Sequence, residues 1–412
     1  MIFENNISGF YIFIFSIILI ILCIKKNSLG GLAIAGWAGL FVFSIPIFLN
    51  KFRKVYYYIG EEFYLLEPNL ESKFIYFLFW LGFAIVLFFF KNYEKSDNTT
   101  YIKDKTLDVF SFVCFVNIVI FLIYQHYSNN IEILSLIGKW LFLFLLVTLL
   151  MRKKNFQAMV LVIIIIFYGF ILLDRTLSVI SAVTLIVFKL NELKSKKNKN
   201  LSYFLKIFIF ALFTVFFLAI IITYTKLFGK FISGTQVFSL ESIFIVFKDL
   251  QKSFEPLIIY GHTMFALDGY KDFELNKYLI SIFSNLTLYP SFFGLSTNYY
   301  TSTLMVQFQD ISFGLAGSIY ASTFLAFGYF GLFVTGCLYG LLLCYADYRL
   351  EFYKNTFSVL IVTSAIVTAI YLHRNGLDNF LSVFRQLFIL YFWLKIQTFL
   401  ICKITSKKIL LY

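Results

Sequence analysis

Long apolar runs, separated by short polar connections, make up most of this chain. A membrane-spanning helix needs about 20 apolar residues, within a range of roughly 17–25. By that measure the sequence predicts about eleven such helices, at residues 7–24, 28–49, 74–90, 107–126, 131–151, 157–173, 175–190, 203–224, 323–345, 356–373 and 380–402. We expect the first run to remain in the protein, because Glu4 stands where a signal peptide would be basic. The pattern predicts an all-α polytopic integral membrane protein, with residues 1–412 as a single membrane domain.

Residues 226–313 interrupt this pattern, because they contain no apolar run long enough to cross a bilayer. A loop of this length is uncommon in a compact protein unless it is functional or disordered. Its many aromatic and aliphatic residues argue against disorder. The sequence therefore predicts one large folded loop that caps the outer, periplasmic face and forms one wall of the functional site.

Composition supports the membrane class, since 60% of residues are hydrophobic and only 14% are charged, compared with about 25% charged in soluble domains. The formal net charge of +13 would suggest nucleic acid as the partner of a soluble protein. Here the basic residues collect in short loops, as membrane topology requires, so no nucleic acid is expected. The five cysteines all fall in apolar segments, without disulfide or metal-ligand spacing: Cys23, Cys114, Cys337, Cys344 and Cys402.

The lysines and arginines of the loops predict the orientation. One alternating set of short loops, which includes residues 91–105, 152–154 and 189–199, carries most of them and is expected to be cytoplasmic. This places the N-terminus and the large loop outside and the C-terminus inside. The basic residues at 51–54 go against the rule, because they lie in a loop that this topology puts outside.

The three histidines fall on the outer side of the predicted topology. We expect His126 to be a solvated or interfacial side chain, whereas His262 lies in the folded cap and His373 ends the tenth helix, so both are candidates for catalysis. Lys139 lies inside an apolar run and is either a functional lysine within the membrane or part of an interfacial stretch.

Three arginines border or enter predicted spans: Arg175 follows Asp174 at the start of the seventh, Arg374 ends the tenth, and Arg385 lies inside the eleventh. A guanidinium in hydrocarbon is costly, so such residues usually face a bundle interior or an aqueous cavity. The alternative is snorkelling to headgroups, which for Arg385 would have to cover a greater depth than for Arg175 and Arg374. The planar fork of arginine suits phosphate oxygens. Three arginines at one outer cavity would bind a diphosphate, with Asp174 and Asp378 orienting or pairing with them.

Three motifs resemble the O-antigen (oligosaccharide repeat unit) polymerases, called the Wzy family. The Gly- and Ser-rich start of residues 317–328 is similar to the segment that follows the large periplasmic loop, and small residues here and up to Gly340 also suit close helix packing. His373-Arg374-Asn375-Gly376 with Arg385 resembles the arginine-bearing stretch between the last two helices. Asp174-Arg175-Thr176 resembles a helix start found in polymerases and in O-antigen ligases. Ser322 stands where we expect a glutamate, so the base has to come from elsewhere.

The resemblance implies a glycosyltransferase of the bacterial cytoplasmic (inner) membrane that makes O-antigen, the lipopolysaccharide glycan, or capsule. It would transfer a growing glycan from undecaprenyl diphosphate to a lipid-linked repeat unit, without cofactor or metal. Arg175, Arg374 and Arg385 would hold the diphosphate, and His262 or His373 would assist the acceptor hydroxyl. A chain-length regulator protein is a candidate partner. The alternatives are an O-antigen ligase and a flippase or other transporter of lipid-linked oligosaccharide.

Overall fold

The computed structural model describes residues 11–12, 14–19, 22, 55–59, 62–66, 70–90, 105–127, 131–171, 175–194, 273–287, 300, 318–374 and 376–409. Their elements are β1 (Val55–Ile59), β2 (Glu62–Leu66), α1 (Leu70–Phe89), α2 (Lys105–Tyr127), α3 (Ile131–Met151), α4 (Asn155–Ile171), α5 (Arg175–Lys194), α6 (Leu275–Leu286), α7 (Ile319–Phe352), α8 (Thr356–Arg374) and α9 (Leu377–Ile409). The predicted spans at 28–49 and 203–224, and most of the one at 7–24, lie outside the described residues.

Three helical segments within the described ranges are long and apolar enough to cross a membrane: Thr106–Tyr124, Ile319–Phe352 and Phe380–Thr405. Shorter apolar helices are found at Lys73–Phe89, Gly138–Met151, Asn155–Tyr168, Leu177–Lys189 and Thr356–Ala369. The chain is therefore a mainly helical membrane protein. Each described apolar helix coincides with a predicted span, while the full number of eleven spans stays a prediction.

One β-hairpin departs from the all-α prediction. Strands β1 and β2 pair antiparallel, with Val55 opposite Leu66 and Ile59 opposite Glu62, so two residues connect them. The strands are rich in tyrosine and aliphatic residues, which favour extended backbone on a pleated surface. A length criterion based on bilayer thickness does not detect five-residue strands, so the apolar runs did not predict this hairpin.

The chain divides into two compact units. The first comprises Met1–Tyr93, Lys252–Tyr345 and Val367–Arg385, and the second Glu94–Gln251, Ala346–Ile366 and Gln386–Tyr412. The first unit contains β1, β2, α1 and α6, together with most of α7 (up to Tyr345), the end of α8 and the start of α9. All side chains of the candidate site described below belong to this first unit.

Glycines let α1 and α7 approach closely in the first unit. A Cβ atom added to Gly336 of α7 would meet the carbonyl oxygen of Phe79, and one added to Gly82 of α1 would meet that of Phe333. The thiol of Cys337 also lies 3.4 Å from the Gly82 carbonyl oxygen. Small residues bring helix backbones together in membranes, as the glycine spacing of α7 predicts.

Helix α7 is interrupted at Gly328, whose φ of 63° and ψ of −159° are not helical. A Cβ atom at this position would have no neighbour within 4 Å. Glycine is therefore favoured here by the backbone conformation, which L-residues rarely adopt, and not by lack of space. The interruption separates the short first part of α7, which faces the candidate site, from the long second part.

Polar contacts between helices tie the second unit together. Asn117 in the middle of α2 donates a hydrogen bond of 2.7 Å to Gln397 of α9, and Trp140 of α3 donates one of 3.0 Å to Gln386. An ion pair between Arg152 and Asp108 joins the end of α3 to the start of α2. Such hydrogen bonds contribute about 0.6 kcal/mol on average within a membrane, so they specify the pairing of helices more than they stabilise it.

The turn between α3 and α4 stops the first of these helices with a Schellman motif. The amide of Lys153 donates to the carbonyl of Leu150, and the amide of Lys154 donates to that of Leu149, both at 2.9 Å. Lys153 has a φ of 58°, in the left-handed region where glycine is usual. The turn is therefore strained at a lysine, with a cation at the negative end of the α3 dipole as partial compensation.

Candidate functional site

Two polar helix faces meet in the first unit. On α6 the buried positions recur at intervals of three and four residues, which places them on one face: Tyr278, Ser281, Ser284 and Asn285. On α9 Asp378, Ser382 and Arg385 follow the same spacing. Asp378 and Ser382 are buried, each with 1% of its surface exposed, and Arg385 is half-buried. We call these seven residues the polar cluster.

The contacts between α6 and α9 advance together along both helices. Ser281 donates a long hydrogen bond of 3.4 Å from Oγ to Oδ2 of Asp378. Two turns further along α9, Nη1 of Arg385 donates to the carbonyl oxygens of Ser284 at 3.0 Å and Thr287 at 2.9 Å. The two helices therefore run in the same direction, and α6 is docked on α9 from its middle to its C-terminal end.

Arg385 caps the C-terminal end of α6, where the last backbone carbonyls have no partners within the helix. The guanidinium supplies two hydrogen bonds to these carbonyls and places a positive charge at the negative end of the helix dipole. The sequence predicts that Arg385 faces a bundle interior or an aqueous cavity. It does not predict the contact between Arg385 and α6. The role of Arg385 in binding diphosphate stays a prediction.

The Asp378 carboxylate is buried beside a buried phenol. Burial raises the pKa of Tyr278, the negative charge of Asp378 raises it further, and the nearby Ser322 hydroxyl lowers it. Ser322 is near enough to act on Tyr278 electrostatically, yet among the described residues no hydrogen bond of good geometry reaches the Tyr278 hydroxyl oxygen. Tyr278 thus remains a protonated donor at neutral pH, next to both Ser322 and Asp378.

His373 lies in an aromatic cage and is fully buried. Its Nδ1 is 2.8 Å from the Tyr320 hydroxyl and its Nε2 is 3.1 Å from the Tyr339 hydroxyl. Trp80 stacks on the imidazole with ring centroids 5.4 Å apart and planes at 20°, and Phe79 contacts its edge. In a neutral imidazole one nitrogen donates and the other accepts, and a tyrosine hydroxyl suits either role.

These contacts join α1, α7 and α8 through one side chain. Both ring nitrogens of His373 are engaged with tyrosines, so the surroundings favour a positioning role, in which the imidazole fixes the end of α8 and with it the neighbouring Arg374. The catalytic role predicted for His373 stays a prediction.

The remaining predicted residues are described only in part. Helix α8 ends at Arg374 and helix α5 begins at Arg175, as expected, but both side chains, and that of His126, lie outside the description. Asp174 and His262 also lie outside the described residues. A common cavity for Arg175, Arg374 and Arg385 therefore stays a prediction.

The sequence did not predict the α6 side of the polar cluster. The helical spacing of Tyr278, Ser281 and Ser284 was a possible signal, but the predicted candidates were ionisable residues and did not include hydroxyl groups. Tyr320 lies inside the Gly- and Ser-rich segment 317–328, and its contact with His373 is a further feature that the sequence did not predict. Among the described residues, no group of three His, Cys, Asp or Glu side chains could hold a metal ion.

Comparison with known proteins adds no relative. No family model, curated protein or solved structure matches this chain.

Proposed function

We propose that the chain is a polysaccharide repeat-unit polymerase of the bacterial cytoplasmic membrane, which transfers a growing glycan from undecaprenyl diphosphate to a lipid-linked repeat unit at the outer face. One observation carries the proposal. Asp378 directly precedes the apolar segment Phe380–Thr405 and Arg385 lies inside it, and both side chains share one face of α9 beneath α6. Ionisable residues inside a membrane bundle mark functional sites by default, because burying them without a purpose is unfavourable.

The reaction is a displacement at the anomeric carbon of the donor glycan. The acceptor hydroxyl oxygen forms a bond to that carbon while the bond to the diphosphate oxygen breaks. The electron pair leaves with undecaprenyl diphosphate, and the acceptor proton passes to a base. The protein therefore has to supply a proton acceptor and positive charge for the leaving group.

Asp378 is the base that the geometry favours, with His262 as the further candidate from the sequence. In the resembling family we expect a glutamate where this chain has Ser322. The Tyr278 hydroxyl interacts with both Ser322 and Asp378, so Asp378 brings a carboxylate into the region that Ser322 leaves without one. Tyr278 would donate a hydrogen bond to a sugar oxygen and orient the acceptor.

The diphosphate is held by fixed cations in this proposal. Arg374 ends α8 next to His373, whose cage fixes that helix end, and Arg385 lies beyond the short α8–α9 connection. Arg175 is the third arginine that the sequence predicts for this role. A well-placed donor aimed at charge that develops in the transition state is typically worth about 3–4 kcal/mol.

The experiment replaces single residues in the native host and separates surface polysaccharide on a gel. We expect Asp378→Asn and Arg374→Ala to reduce long-chain product at least about 100-fold, while single-repeat product persists. This is the lower range for losing a general base and for losing a donor that stabilises developing charge. The control is Glu274→Gln, which changes an exposed ion pair with Lys277. Membrane levels of all variants are measured with a C-terminal fluorescent fusion, which also reports whether the C-terminus is cytoplasmic.

Wild-type ladders from Asp378→Asn and from all three arginine variants would refute the proposal. Accumulation of long lipid-linked chains in the deletion strain would indicate a ligase instead, because a polymerase deletion leaves only single repeats.

A further inference from the structure

The helix of the large loop is turned with its apolar face outward. Its buried face carries the polar cluster residues Tyr278, Ser281, Ser284 and Asn285. Its opposite face consists of large hydrophobic side chains that are between two fifths and three fifths exposed: Leu275, Leu279, Ile280, Phe283 and Leu286. A loop helix surrounded by water would show the reverse arrangement, because exposing a row of large apolar side chains to water is unfavourable.

The length of α6 restricts where such a helix can lie. Its 12 residues span about 18 Å at 1.5 Å per residue. That is too short for a hydrocarbon core about 30 Å thick. A short helix with one strongly apolar face is suited to the membrane interface, where that face enters the acyl chains and the helix axis follows the membrane plane.

Helix α6 packs against a helix that has exposed aromatic side chains of its own. Tyr278 contacts Phe327 of α7 with ring centroids 6.3 Å apart. Phe327 is 45% exposed and Phe330 is 77% exposed, although both lie in a helix long and apolar enough to cross the membrane. Helix α6 therefore packs beside the part of α7 that carries these exposed aromatic side chains.

Charge marks the other boundary of this surface. Glu274 and Lys277, at the first turn of α6, form an exposed ion pair of 2.6 Å. The hydrogen bond from Lys277 to Glu274 raises the pKa of the lysine, so Lys277 stays charged at neutral pH. Charged side chains belong in water or among headgroups, and they lie at the end of α6 opposite to its Arg385 contact.

We propose that α6 is an interfacial membrane helix, with Leu279, Ile280 and Phe283 inserted among phospholipid acyl chains and its polar face resting on Asp378 and Arg385. The occupant of the exposed apolar face is then the bilayer itself. This inference does not depend on the proposed function. If both hold, the polar cluster is covered by a helix that rests in lipid, the phase in which a polyprenyl-linked substrate travels.

The experiment places a photoreactive benzoylphenylalanine at Phe283 and, separately, at Ile280 in the full-length protein, in nanodiscs of phosphatidylethanolamine and phosphatidylglycerol. The control carries the same group at Lys277, at the charged end of the helix. After illumination, mass spectrometry measures phospholipid adducts. We expect at least about five-fold more adduct at Phe283 and Ile280 than at Lys277. Equal yields at the three positions, crosslinks to another part of the chain, or a crosslinked dimer would each overturn the proposal.

A milder variant guards against misfolding caused by the photoreactive group. Phe283→Trp adds one indole to the four tryptophans of the chain. Its fluorescence, taken as the difference from the parent protein, should be quenched by acyl-brominated phospholipids and not by aqueous iodide. Quenching by iodide without quenching by the brominated lipid would place Phe283 in water and refute the insertion of α6.

Discussion

Replacing Arg385 with alanine tests whether this side chain holds α6 in place. The guanidinium donates two hydrogen bonds from Nη1 to carbonyl oxygens at the end of α6, at 3.0 and 2.9 Å. A long hydrogen bond from Ser281 to Asp378 also joins the two helices, nearer the middle of α6. Arg385→Ala should therefore release the C-terminal end of α6 from α9.

The size of the effect follows from these contacts. A hydrogen bond with a charged partner is worth about 1.5–3 kcal/mol net. The two bonds share one nitrogen and cannot both be ideal, so we take about 2–3 kcal/mol for the pair together. Because each 1.4 kcal/mol corresponds to a factor of ten, the fraction of undocked α6 should rise roughly 30- to 150-fold.

The assay uses Ser284→Cys as a reporter, because the Ser284 side chain is fully buried when α6 is docked. A membrane-impermeant maleimide reacts only when α6 lifts, so the labelling rate follows the undocked fraction. Labelling is read on the peptide that contains residue 284, which separates it from the native cysteines. The control is Lys395→Ala, which removes a cation of the same helix that lies over the ring of Tyr391 and should leave the rate unchanged.

A labelling rate in Arg385→Ala within two-fold of the parent would refute the reasoning. If long-chain polysaccharide were lost while labelling stayed at the parent rate, Arg385 would act on the diphosphate and not through α6. Rapid labelling together with loss of polysaccharide would identify the docking of α6 as necessary for the reaction.

Two further predictions concern packing and backbone strain, and both are measured as thermal unfolding of the purified protein in detergent. Gly336→Leu should destabilise the protein by at least about 2 kcal/mol, because the Cβ atom of the leucine would meet the Phe79 carbonyl oxygen. The control is Leu338→Ala, at an exposed position of the same helix, which should have little effect. Equal stability of both variants would contradict the close approach of α1 and α7. Lys153→Gly should stabilise by about 1 kcal/mol, since it relieves a left-handed lysine, and a lowered melting temperature would show that the charge of Lys153 matters more than its strain.

Some features of the site could be read from the sequence and some could not. Arg385 stood out because an ionisable residue inside an apolar run is unfavourable, and that is a property of the run itself. Asp378 was predicted only as a partner that orients or pairs with the arginines. The partners of both residues in α6 did not stand out, because Ser281 and Ser284 are about a hundred positions away in the chain. His373 was also identified as a candidate from the sequence. Its aromatic cage comes from α1 and α7, so the residues next to it in the chain do not predict its contacts with Tyr320 and Tyr339.

The sequence by itself determined where the apolar helices lie and that they belong in a membrane. Those properties depend on the length and continuity of apolar runs, measured against the thickness of a bilayer. The tertiary structure alone decided which way α6 faces. Helical periodicity separates an apolar face from a polar one, but in a membrane protein either face can be the buried one, because lipid accepts the apolar face as well as a protein core does. The choice was made by Asp378 and Arg385, whose hydrogen bonds with Ser281, Ser284 and Thr287 hold the polar face of α6 inward.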